Sequence, residues 1–136
     1  MTSQARSSQA SSVATEAATA ALRANELLVE TRQAGAHTIV VVIGRVTVDS
    51  SPQLRLVLHD AIGAAASTGV VIDIDFTGTS YLDTSAVATL LEAATLASAR
   101  GVTLRAIGLA GDARFVAETV ELDRIFLAFG YEVQFT

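Results

Sequence analysis

Residues Val70–Leu91 read VVIDIDFTGTSYLDTSAVATLL, and the fold turns on how this stretch divides. Val70–Phe76 is β-branched and apolar apart from Asp73 and Asp75, the pattern of a strand inside a sheet. Gly78 marks a loop. After Asp83, the residues Val87, Leu90, Leu91, Ala94 and Leu96 recur at helical spacing, and the helix stops near Gly101. Asp83, Thr84 and Ser85 therefore stand where a loop enters a helix. Each is a good N-cap, worth ~1 kcal/mol. One cap needs one such residue, and here there are three in a row.

The same alternation extends outward. Leu27–Gln33 (LLVETRQ) reads as a strand closed by Gly35, and His37–Val48 as a buried, β-branched strand. Asp49–Pro52 forms a turn and a helix start, because proline is tolerated in a first helical turn. Leu54, Val57, Leu58, Ile62 and Ala65 give that helix its apolar face, and Gly69 ends it. Downstream, VTLRAIGL is a strand and Gly108–Gly111 a strand-to-helix turn with Asp112 as N-cap. Asp112–Thr119 is a short helix, LDRIF a turn or helical end, and YEVQF a last alternating strand. Strands alternating with helices imply crossovers and an α/β fold: one domain, a mixed sheet of about five strands, and helices packed mainly on one face. Residues 1–26 differ. Met1–Ser12 has a disordered composition, and Thr15–Leu28 is Ala-, Glu- and Leu-rich, predicting a helix that must dock or fray. The domain proper is predicted over 27–136.

The 136-residue chain is 51% hydrophobic but only 5% aromatic, so its core is built from aliphatic residues and alanine. A net charge of -5 without a basic run argues against nucleic acid and against anionic membranes. The absence of cysteine rules out disulfides and thiolate metal sites. No apolar run approaches the roughly 18 residues of a membrane span. The polar start carries no secretory h-region, which suits a cytoplasmic location. All the basic residues are arginine. With no lysine, neither a P-loop nor a phospho-acceptor receiver domain fits. His37 and His59 are distant in sequence from Thr84 and Ser85, and no nucleophile elbow is present, so a hydrolase is not supported and no enzyme is expected. Asp73, Asp75 and Asp83 lack the His or Cys neighbours that would favour a metal site.

In open α/β sheets, sites lie beyond the C-terminal ends of strands, where Asp83–Ser85 falls. A hydroxyl at a helix start is exposed, and a phosphate there meets free N–H donors and a favourable dipole. Phosphorylation would add roughly -1.5 to -2 charges at pH 7, creating with Asp83 a negative patch that a docked partner need not tolerate.

The ordered series of Asp75, Tyr81-Leu82, Asp83-Thr84-Ser85, Gly101 and Leu122–Phe126 resembles a STAS domain of the anti-sigma-factor antagonist type. "IGRVTVDSSPQLRLVL" resembles that family's second strand, its Gly-led loop and its first helix. The resemblance covers about residues 27–136. It implies a non-catalytic partner-switching module of a bacterial stress response, one that regulates transcription. The unmodified form binds an anti-sigma factor that is also a serine/threonine kinase, phosphorylation at Thr84 weakens that binding, and a phosphatase restores it. Ser85 is the weaker acceptor. The resemblance places Asp83, Thr84, Ser85, Ala86, Arg45, Thr47 and Asp49 on the partner face. It implies no cofactor, since ATP belongs to the kinase. Its alternatives are a self-associating stressosome-like scaffold subunit, or an unphosphorylated protein- or ligand-interaction module. Thr84 replaces the usual Ser, Ala86 the usual Gly, and Glu121 a common Gly before Leu122.

Overall fold

The computed structural model describes residues 27–136. The expected helix over Thr15–Leu28 lies outside them, except that Leu27 and Leu28 belong to a strand. In chain order the elements are β1 (Leu27–Ala34), β2 (His37–Val46), α1 (Ser51–Ala65), β3 (Val71–Asp75), β4 (Thr79–Leu82), α2 (Thr84–Ala99), β5 (Thr103–Leu109), α3 (Gly111–Thr119), α4 (Leu122–Ala128) and β6 (Glu132–Phe135).

The sheet runs β1-β2-β3-β5-β6, and β4 pairs with β2 beyond the end of β3. β1 and β2 form an antiparallel hairpin, while β2, β3, β5 and β6 are parallel. Parallel neighbours need long crossovers, and α1, α2 and the α3–α4 pair supply them. Along β2, Val40, Val42 and Val46 are fully buried, as period-two alternation requires. They meet Leu54, Leu58 and Ile62 of α1 and Leu90, Ala93 and Ala94 of α2 in one continuous core. Alanine at the buried positions of α2 lets that helix lie close to its neighbours.

The sheet is mixed, as expected, but has six strands rather than about five. The strand that escaped the sequence reading is β4. It has only four residues, two of them polar, and follows β3 after a short turn. Hydrogen bonds hold it: Thr79 Oγ1 donates to the Val42 carbonyl at 2.8 Å, and Ser80 Oγ to the Gly44 carbonyl at 3.3 Å. LDRIF, expected as a turn or helical end, is helical and opens α4. Asp112 is not the cap of α3: Ala110 holds the N-cap position and Asp112 lies within the first turn. Backbone geometry, invisible in composition, decided which residue came first.

Candidate functional site

β4 delivers the chain to the C-terminal end of β2, because Val46 pairs with Leu82 in register. Asp83 follows at once, its N–H donating to the Val46 carbonyl at 3.1 Å. It is the N-cap of α2 with extended backbone angles, φ -109° and ψ -175°. Its Oδ1 accepts the N–H of Ser85 at 2.9 Å and of Ala86 at 3.1 Å. Its Oδ2 reaches across to the N–H of Val48 at 2.9 Å. One carboxylate thus caps a helix and fastens the loop after β2 to it. Ser50 braces that loop from the other side: its Oγ accepts from Thr47 N–H and donates to the Arg45 carbonyl, both at 2.9 Å.

Burial alone would raise the Asp83 pKa. The hydrogen bonds from the Ser85 hydroxyl and from the N–H groups of Ala86, Val48 and Ser85 outweigh it, and the carboxyl titrates below its ordinary value of 3.8.

The two hydroxyls differ sharply. Ser85 is half-buried, and its Oγ donates to Asp83 Oδ1. Thr84 is exposed, and its hydroxyl makes no side-chain hydrogen bond among the described residues. Ala88, one turn further along α2, is also exposed, so the helix presents a small, flat strip beside Thr84.

The remaining expected residues divide. Asp49 is exposed and Thr47 half-buried in the braced loop, so both lie at the same end of the sheet as Thr84. Arg45 is half-buried, and its guanidinium carbon stacks 4.5 Å from the centre of the Tyr81 ring. Its Nε is buried with no hydrogen-bond partner among the described residues. Ala86 is fully buried, and its methyl group belongs to the core rather than to any surface. Sequence reading passed over Val48, which is 68% exposed at the tip of the loop. The only signal for it was an apolar residue between polar neighbours, a pattern it shares with ordinary strand ends.

Among the described residues no histidine stands beside Thr84, and the neighbouring Asp83 carboxylate is engaged by the helix cap and the loop. His37 begins β2, whose eight further residues to Arg45 span ~26 Å. It is occupied there, with Nδ1 2.8 Å from Asp73 Oδ2. His59 lies on α1, 3.2 Å from Glu92 Oε1. Asp75 serves the turn after β3 by accepting Thr77 N–H at 2.9 Å. Among the described residues no group of three or more His, Cys, Asp or Glu could hold a metal ion, and no helix is long and apolar enough to cross a membrane. The arrangement leaves the Thr84 hydroxyl exposed at the start of a capped helix, beside the Ser85 hydroxyl that the cap engages.

The braced loop and the capped helix thus lie together at one end of a small mixed α/β sheet. The family model described as "Mlab, STAS domain" matches residues 29–128, and the chain belongs to the STAS-domain family. No curated protein matches it significantly. Among solved structures it is similar to an anti-sigma factor antagonist from Mycobacterium paratuberculosis, at 19% identity and a TM-score of 0.58 over 81% of this chain and 86% of that one. It is also similar to the anti-sigma factor antagonist SpoIIAA in its unphosphorylated form, at 19% identity and a TM-score of 0.51 over 73% of this chain and 96% of that one. At these identities the likeness establishes a shared fold.

Proposed function

We propose that this protein is an anti-sigma-factor antagonist, a non-catalytic switch that binds an anti-sigma factor with kinase activity. The face formed by Thr84, Ala88 and the Thr47–Asp49 loop is the docking surface in this reading. The observation that carries it is the contrast between the exposed, uncommitted hydroxyl of Thr84 and the hydroxyl of Ser85 engaged by Asp83. The docked kinase transfers the γ-phosphoryl group of ATP to Thr84 Oγ, takes up the hydroxyl proton and releases ADP. The phosphate then stands at the α2 N-terminus, whose dipole offsets part of its charge within the domain. The partner surface gains no such offset beside Asp83 and Asp49, and it separates. A phosphatase returns the free hydroxyl.

Coupling of ~1–3 kcal/mol, or about 5–150-fold in affinity, is ordinary for such a switch. Thr84→Glu is therefore expected to weaken partner binding at least about fivefold. Thr84→Ala should bind normally and resist regulation. Calorimetry with the anti-sigma factor recovered from the source cell reads both effects, and mass spectrometry after incubation with that kinase and ATP reads the site. Equal affinities for the two variants would refute the electrostatic switch. Phosphate found on Ser85 instead would refute the choice of acceptor.

A further inference from the structure

The two edges of the sheet are unequal. β6 is short, with four residues, whereas β1 has eight and carries no proline, lysine or bulge to blunt it. Its second half, Thr31–Ala34, is exposed. Thr31 and Gln33 line an open cleft of about 360 Å³ against α1 rather than packing onto it. Among the described residues no strand pairs with its outer side, and an edge of this length is a template for another strand.

The side chains of β1 specify which strand. Glu30 and Arg32 pair with Val41 and Ile39 of β2, so they share the sheet face opposite the helices. Thr31 pairs with the fully buried Val40 and shares the helix-facing side. Neither Glu30 nor Arg32 forms an ion pair among the described residues. A second β1 laid antiparallel about a two-fold axis at Thr31 puts Glu30 opposite Arg32 twice, once on each side of the axis. Thr31 then faces Thr31, Val29 faces Gln33, and Leu28 faces Ala34. Opposite charges and threonine pairs are favourable direct partners across strands. Sliding the register by one same-face step in either direction sets Glu30 against Glu30 or Arg32 against Arg32. The charge pattern therefore selects one register as well as one partner.

We propose that β1 pairs with β1 of a second copy of this chain, joining two sheets into one through a two-fold interface centred on Thr31. Such an interface is isologous, and one short strand supplies each half of it. It is smaller than a standard stable interface, so dimerisation in roughly the micromolar range is expected.

Sedimentation of the full chain from about 1 to about 500 μM, spanning the expected dissociation constant, tests this. The wild-type chain should pass from monomer to dimer. Glu30→Arg and Arg32→Glu should each weaken dimerisation about tenfold or more, because each sets like charges opposite one another twice. An equimolar mixture of the two variants should recover a heterodimer, since every reversed residue then meets its opposite. The double variant E30R/R32E should recover the homodimer. As the chain contains no cysteine, Thr31→Cys provides an independent check, and oxidation should join two copies at that single position. A full chain that stays monomeric throughout, or a dimer indifferent to both reversals, overturns the proposal.

Discussion

At Asp83 a single carboxylate accepts hydrogen bonds from its own helix and from the loop after β2. Asp83→Ala should cost about 0.5–2 kcal/mol in urea unfolding, chiefly through the lost cap, because the exposed N–H of Val48 can turn to water. Asp83→Asn should cost less, because an amide oxygen also caps. The pH dependence has a definite sign. The folded carboxyl titrates below its ordinary value, so its contribution is complete above that value and disappears as pH falls through the folded pKa. Urea unfolding of Asp83→Asn should accordingly show a shallower loss of stability below about pH 4 than the wild type.

Two backbone positions decide how elements join. Gly108 has φ +79° where the pairing of β5 with β6 shifts register. A Cβ there would stand 2.9 Å from Thr77 N and 3.1 Å from Thr77 Cα, both backbone atoms of the turn after β3. Gly108→Ala should therefore lower stability by about 2 kcal/mol or more, seen as a fall in the urea midpoint at unchanged slope. Glu121 also adopts a left-handed conformation, with φ 55° and ψ 46°, immediately before α4. A side chain in that region costs roughly 1–2 kcal/mol, whereas glycine adopts it freely at some entropic cost. Glu121→Gly should consequently raise stability by about 0.5–1 kcal/mol in thermal or urea unfolding. The exposed 3.6 Å contact of Glu121 with Arg124 adds little to offset this. The common glycine before Leu122 in STAS domains thereby acquires a conformational reason.

Across the whole molecule, Asp73 links segments far apart in the chain. Its buried carboxylate accepts from Arg105 Nε on β5 at 2.8 Å and meets His37 Nδ1 on β2 at the same distance. Arg105 is held protonated more firmly by this hydrogen bond, against the opposing effect of burial. Asp73→Ala should destabilise the sheet by about 1–3 kcal/mol, measured by urea unfolding, because it leaves Arg105 and His37 without their shared acceptor. Strand order β2-β3-β5 makes Asp73 a cross-strand tie, whereas Asp75 serves the local turn after β3.

Much of the architecture was legible because local patterns and tertiary demands agree. β-branched runs became β2 and β3, three- and four-residue apolar spacing became α1 and α2, and Asp83 capped the helix it precedes. These properties depend on neighbours in the chain, so the amino-acid order alone was enough to determine them. Pairing depends on neighbours in space. β4 exists because β2 offers it hydrogen bonds, Glu121 is left-handed because α4 must turn onto the core, and Ala86 is buried because α2 lies on the sheet. The distinction between a free Thr84 and an engaged Ser85 is of the same kind. Residue types alone do not say which hydroxyl meets the cap, and the first turn of α2 brings that of Ser85 onto Asp83.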